Sequence, residues 1–354
     1  MSIMTIFGNL EGGSSKIADI VYFKSPWTNI GNAFIDMGAV YQLRKVAPSL
    51  RLHIIGGGLT NIIYNFYTLE KARRVRKVVP GFIVRLVKRA LRSKARRLRD
   101  SVLSIKYTAP WSFELITAIE AKYIVVAGVA LSGWFVALYG ETIRKLCREK
   151  RRLIVLGGGA TSYSEEEANL VRSFLRKVKP YIIVTRDLWC YENFSDLAEY
   201  SYNGVDCGFF VSETWKPPLL NLGKYVVFAF DKMKEPEIRV KYPIIRVHHS
   251  FWTKKDASVV LRRKPNTFVS DHPYDYLALY ANATEVYTDR VHAGVAAYAY
   301  GVPCHLYSTS PRVKLFERLG EDPRKKPMIP NLSKLEEEKR GQLKFLSETL
   351  GLKQ

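Results

Sequence analysis

Hydrophobic positions along the chain follow two periods. Short β-branched or aromatic runs at 19–23, 51–55, 123–127, 153–156 and 181–185 each end in a turn and give way to apolar residues at helical spacing. Strands buried on both faces read as continuous apolar runs, so this alternation predicts an α/β protein built on a doubly wound parallel sheet. Ser164 and Glu167 have the spacing of a capping box and open a helix expected to run through Lys177. The stretch 123–140 carries no charge over 18 residues, which is the length of a membrane span. Gly128, Ser132 and Gly133 divide it, and a buried strand, a turn and a helix continuing to Lys150 is the preferred reading.

The pattern breaks at Trp215-Lys216-Pro217-Pro218, and a fresh series of strands follows at 225–230, 244–247, 267–269 and 286–288. This predicts two Rossmann-like, doubly wound domains over 1–219 and 220–330. A charged helix within 331–354 is expected to cross back onto the first domain. The glycine runs at 56–58 and 157–159 do not follow G-x-G-x-x-G, so both read as tight turns and not as dinucleotide sites.

Segment 287–306, YTDRVHAGVAAYAYGVPCHL, places Arg290 and His292 where a strand runs into a helix that Gly301 and Pro303 close. A basic pair beside exposed helix N–H groups suits an anion, and Gly294 in the first turns would let a phosphate or carboxylate approach the backbone. The plain alternative is a surface arginine and a packed histidine in an ordinary βα unit.

This segment resembles the R-x-H-a-x-x-A-x-x-x-G-V-P signature of the polysaccharide pyruvyl transferase family. Three further blocks occur in the family's order. TNIGNAFIDMGAV at 28–40 is similar to its N-x-G-D-x-A-I block, with Asn32 in place of the usual acid. RRLIVLGGGATS and YIIVTRDLWCYENF resemble the central strand, glycine turn and V-x-R-D-x-x-S block, and VDCGFFVSE carries the family's aspartate at Asp206. The resemblance implies a GT-B type architecture with ligands in the cleft between two domains. It also implies transfer of a pyruvyl group from phosphoenolpyruvate to two hydroxyls of a glycan or lipid-linked sugar, with no cofactor beyond that donor substrate. Arg186 and Arg290 match family positions, one in each domain, and a planar guanidinium fork pairs bidentately with carboxylate or phosphate.

For the remaining candidates the residues leave alternatives open. Arg186 either grips the donor or pairs with neighbouring Asp187. His292 contacts the anion, transfers protons, or does both, and Asp289 is a base, a helix cap or the partner of a nearby arginine. Asn29, Gly31 and Asn32, at the first strand-to-helix turn, are placed to bind acceptor hydroxyls. The 271–275 turn reads as helix capping, and His248 and His249 as lining the same strand edge. Without carboxylate or cysteine ligands at suitable spacing, no metal site is expected.

Composition adjusts this picture in three places. The 354 residues are 47% apolar, enough for two cores. Four scattered cysteines lack C-x-x-C spacing, and the first residues lack both the basic and the apolar parts of a signal peptide, so a cytoplasmic location is expected. Only three glutamines among many charged residues is a balance seen in heat-adapted proteins. The net charge of +22 is concentrated in a basic run at 71–106, whose residues 81–105 form an amphipathic helical pattern. That helix docks with its cations in water, or lies on an anionic membrane surface at the inner face, or contacts nucleic acid non-specifically; no specific nucleic-acid module is present. Two rivals to the transferase reading are a GT-B nucleotide-sugar glycosyltransferase and a basic, non-enzymatic binding module.

Overall fold

The computed structural model describes residues 18–27, 29–56, 115–249, 265–323 and 325–350. The basic run at 71–106, the first residues of the chain and most of the first glycine run lie outside them. Six parallel strands form the first sheet: β1 (Ala18–Lys24), β2 (Leu52–Gly56), β3 (Ala121–Ala127), β4 (Arg152–Gly158), β5 (Ile182–Thr185) and β6 (Tyr200–Asn203), in the order β2-β1-β3-β4-β5-β6. Five parallel strands form the second: β7 (Val226–Ala229), β8 (Ile244–Val247), β9 (Thr267–Phe268), β10 (Glu285–Thr288) and β11 (Cys304–Leu306), in the order β11-β10-β7-β8-β9. The order reverses between β1 and β3 in one sheet and between β7 and β10 in the other. Crevices at the carboxyl ends of the strands open at such reversals.

The uncharged stretch at 123–140 is divided as its glycines require. After β3, Gly128 takes a positive φ of 72°, and Ser132 caps helix α2 (Gly133–Arg148) by accepting the Phe135 N–H at 3.2 Å. Among the described residues no helix is long and apolar enough to cross a membrane. Ser164 caps α3 (Glu165–Val178), but Glu167 does not complete the reciprocal box. Its carboxylate instead accepts the N–H groups of Thr161, Ser162, Tyr163 and Gly133, tying the β4–α3 turn to the start of α2.

Helix α1 (Ile30–Val46) binds the two halves together. Ile30 and Phe34 join the core beneath the second sheet, while Ile35, Ala39 and Leu43 belong to the core of the first. The fit is tight at Gly38, where a Cβ would stand 1.8 Å from the Cys207 carbonyl oxygen. Gly38→Ala must therefore push α1 off the 207–210 turn. We expect a loss of about 1–3 kcal/mol, read as a fall in the urea midpoint; an unchanged midpoint would show that α1 is free to shift.

Short helices α4 (Leu188–Phe194) and α5 (Val211–Thr214) follow, and the second sheet is packed by α6 (Pro273–Ala281) and α7 (Val291–Ala299). No side chain caps α6; it starts on His272 with Pro273 in its first turn. The last helix, α8 (Leu332–Thr349), returns to the first sheet. Gln342 accepts the Val205 N–H at 2.7 Å and donates to Gln42 at 2.6 Å, Phe345 stacks on Tyr202, and Tyr181 donates to the Thr349 carbonyl.

Candidate active site between the two sheets

Four strand ends and the start of α1 meet in one place. Asp231 and Lys232 follow β7, His248 and His249 follow β8, Arg290 and His292 follow β10, and Arg186 follows β5 from the opposite sheet. At the junction Ile30 N–H donates to the His249 carbonyl at 3.0 Å. Arg290 Nη2 donates to Asn29 Oδ1 at 2.6 Å, and the same oxygen accepts the Gly31 N–H. Gly31 sits against the His292 ring, 2.9 Å from its Cβ to where a Cβ of its own would lie, so only glycine permits this approach.

A hollow opens here, lined by Asn29, Gly31, Lys232, His249, Arg290, Val291, His292 and Arg312. Three of these are lysine or arginine, two are histidines and none is acidic. The charge is crowded. Burial and the nearby Arg312 and Arg290 push the Lys232 ammonium below its ordinary value, and burial with Arg186 and Arg290 pushes Arg312 down to about 10. His249 is pushed down to about 3 by burial and Arg290 and is held by Tyr280, so it is neutral.

Behind this wall lies a buried ion pair. Arg186 is fully buried and donates through Nη1 to Asp206 Oδ2 at 2.9 Å. Asp206 Oδ1 accepts the Gly208 N–H at 2.8 Å, and His292 Nε2 stands 3.5 Å from Oδ2, too long for a formed hydrogen bond. Burial works to raise the Asp206 carboxyl, but the His292 ring, the Arg186 guanidinium and the Gly208 amide outweigh it and hold it well below the usual carboxylate range. Burial, Arg186 and Arg312 lower His292 against the pull of Asp206, which favours a neutral ring. Gly159 makes room for Arg186, since a Cβ there would come within 2.0 Å of Nε. Among the described residues, eight buried side-chain polar atoms lack a partner, and five of them belong to this junction: Thr185 Oγ1, Arg186 Nε and Nη2, His249 Nδ1 and His292 Nε2. Buried polar atoms without partners are uncommon in packed interiors and concentrate where function overrides stability.

The sequence candidates divide accordingly. Arg290 and His292 open on the hollow. Arg186 does not; its fork is sealed in the wall and paired with Asp206, not with Asp187, which caps α4 through the Cys190 N–H and accepts the Tyr163 hydroxyl. Asp289 is no free base, because its carboxylate is occupied by the N–H groups of Asp231, Lys232 and Met233 at 3.2, 2.7 and 2.8 Å. Gly294 faces away from any anion; a Cβ there would meet Cys304, Phe316 and Leu306, since two residues past His292 is about 200° round a helix. Asn29 is engaged by Arg290 and Gly31, and Asn32 donates to the Pro26 carbonyl at 2.9 Å, so neither amide is free for an acceptor. Lys232 and Arg312 went unremarked in the sequence. The one signal available was their position, each just beyond the carboxyl end of a strand in the second sheet. Among the described residues no group of side chains suits a metal ion.

Two parallel sheets meeting at a cationic hollow, with a terminal helix returning to the first, give a two-lobed α/β architecture of the GT-B type. The chain belongs to the polysaccharide pyruvyl transferase family, whose model matches residues 29–311; it is a transferase whose family acts on polysaccharide or sugar acceptors. No curated protein matches it in sequence. Among solved structures it is similar to a putative UDP-N-acetylglucosamine 2-epimerase from Listeria monocytogenes, at 11% identity over 86% of this chain and 82% of that one, with a TM-score of 0.47. It is similar also to the UDP-GlcNAc 2-epimerase from Methanocaldococcus jannaschii in complex with UDP-GlcNAc and UDP, at 13% identity over 92% of each chain and a TM-score of 0.45. The enzyme from Neisseria meningitidis bound to UDP-GlcNAc is alike at 10% identity over 95% of this chain and 94% of that one, with a TM-score of 0.47.

Proposed function

We propose that the enzyme transfers the pyruvyl group of phosphoenolpyruvate to a hydroxyl pair of a glycan or lipid-linked sugar, forming a cyclic ketal. The observation that carries this reading is the hollow around His292, lined by Lys232, Arg290 and Arg312 with no acid among its walls. Such a site favours a small, multiply charged anion, and phosphoenolpyruvate offers a phosphate and a carboxylate three atoms apart. Arginine forks suit both groups and Lys232 adds a mobile point charge. The free volume is about 20 Å³, room for little more than a water, so donor entry requires Lys232 and Arg312 to swing aside. Arg186 acts from behind the wall, holding the Asp206 carboxylate in place beside His292.

The chemistry balances with one relay. A first sugar hydroxyl attacks C2 of the enol phosphate while its proton passes to His292, and C3 gains a proton to become the methyl group. A second hydroxyl then attacks C2, the C–O bond to phosphate breaks, and its proton leaves with inorganic phosphate. A neutral His292 can accept in the first step and return the proton to C3. Because the free enzyme's His292 lies below the ordinary 6.5, its base form persists at lower pH than a free imidazole's. The acid limb of kcat/KM is accordingly expected below pH 6.5; a limb above it would contradict a neutral, buried His292.

Incubation with phosphoenolpyruvate labelled in its three-carbon unit, together with cell-envelope glycan fractions, tests the reading. Label in acid-labile glycan with equal phosphate release supports it, whereas transfer only from a nucleotide sugar would replace it by the glycosyltransferase alternative. Lys232→Ala and Arg312→Ala are each expected to raise the KM for phosphoenolpyruvate about 10- to 100-fold, the worth of one charge-assisted contact, with smaller changes in kcat.

A further inference from the structure

An arginine side chain is long and flexible, so one that lines a hollow binds an anion well only if something aims it beforehand. Arg290 is aimed from both lobes. Its Nε stands 3.5 Å from Asp231 Oδ2, on the turn after β7. That carboxylate is itself fixed by the His249 N–H at 3.0 Å and by His248 Nδ1 at 2.9 Å. Across the junction, Arg290 Nη2 donates to Asn29 Oδ1 at 2.6 Å. Among the described residues no printed bond or ion pair engages Arg290 Nη1, and the fork lines the hollow.

A relay of amides makes Asn29 an acceptor on that side. Asn32 Nδ2 donates to the Pro26 carbonyl at 2.9 Å, and Asn29 Nδ2 donates to Asn32 Oδ1 at 3.4 Å. A carbonyl oxygen only accepts, so Pro26 orients the Asn32 amide and Asn32 in turn orients that of Asn29. Asn29 Oδ1 is then left to accept from Arg290 and from the Gly31 N–H, the latter at 3.3 Å as the cap of α1. An aspartate at 32 could not donate to Pro26, and it would place a negative charge beside Asn29, at the edge of a hollow whose walls carry none. Asparagine at this position avoids both.

We propose that Asn29 is a positioning residue that aims the Arg290 fork into the anion hollow from the opposite lobe, with Asn32 holding its amide the right way round. The grip on the anion is complete only while α1 lies against the strand ends of the second sheet. The Ile30 N–H bond to the His249 carbonyl and the close fit of Gly31 on the His292 ring keep it there. The inference rests on the pyruvyl-transfer reading for the identity of the anion.

Calorimetry on the full chain, with inorganic phosphate and with phosphoenolpyruvate, tests this role. Asn29→Ser keeps a capping hydroxyl for the Gly31 N–H but is too short to reach Arg290. The urea midpoint should barely move, while both dissociation constants rise about tenfold, the lower end for a hydrogen bond to a charged group. In an Arg290→Ala background, where Lys232 and Arg312 still attract anions, the same substitution should change them by less than about twofold. Asn32→Ala should cost less, about threefold, and its effect should vanish in that background too. Equal losses with and without Arg290 would make Asn29 a direct ligand or a merely structural residue, and unchanged or tighter binding would show that Arg290 needs no aiming. Either result overturns the proposal, as does a wild type that binds neither anion. If phosphate shows the coupling but phosphoenolpyruvate does not bind, the positioning role stands and the donor reading alone falls.

Discussion

Arg186→Leu is expected to destabilise the protein by about 3–5 kcal/mol, because it leaves the Asp206 carboxylate buried without its ion pair. Both side chains are fully buried, so water cannot take the place of the lost guanidinium. Urea titration would show the loss as a lower midpoint at unchanged slope. The double variant Arg186→Leu/Asp206→Asn should recover most of it, since the amide keeps the bond from Gly208 and carries no charge. A drop of less than about 1 kcal/mol in the single variant would mean that the pair is solvated, as surface pairs are. Arg186→Lys separates fold from function: it keeps the charge and loses the fork. It is expected to keep most of the stability while the reaction slows, because the Asp206 carboxylate beside His292 is no longer held by a fork.

His292→Gln is expected to lower kcat about 10²- to 10⁴-fold, the usual contribution of a positioned proton-transfer group. Its effect on KM for phosphoenolpyruvate should be small, because Lys232, Arg290 and Arg312 still line the hollow. Steady-state kinetics with calorimetry on the same variant distinguishes the two roles open to this ring. A rise in KM with kcat preserved would make it a binding group only.

Much of this was legible in the chain because parallel strands buried on both faces leave a simple signal. The runs ending at Ala127, Thr185 and Thr288 stop where strands stop in the structure, and the run ending at Phe23 stops one residue before the end of β1 at Lys24. Arg290 and His292 were legible for a related reason: a strand followed at once by a helix fixes where its first side chains point. Pairings between distant segments were not. Arg186 lies beside Asp187 in sequence but bonds Asp206, twenty residues on, because β6 returns the chain to the end of β5. The partners of Asp289 and the direction Gly294 faces were not legible from local pattern. An acid after a strand looks like a base until a neighbouring turn, 231–233, is seen to occupy it. A glycine near a helix start looks like an anion site until the turn of the helix carries it to the core side. Lys232 sits in a turn and Arg312 at the start of the short helical segment Pro311–Leu319, so only the assembled sheet reveals that they share a wall.

The central claim is that the hollow at the junction of the two sheets holds a small, doubly functional anion. A crystal soaked with phosphoenolpyruvate tests it most directly. The account predicts phosphate and carboxylate density among Lys232, Arg290, Arg312 and His292. Phosphoenolpyruvate bound elsewhere, or a nucleotide diphosphate filling that hollow while phosphoenolpyruvate does not, would contradict it.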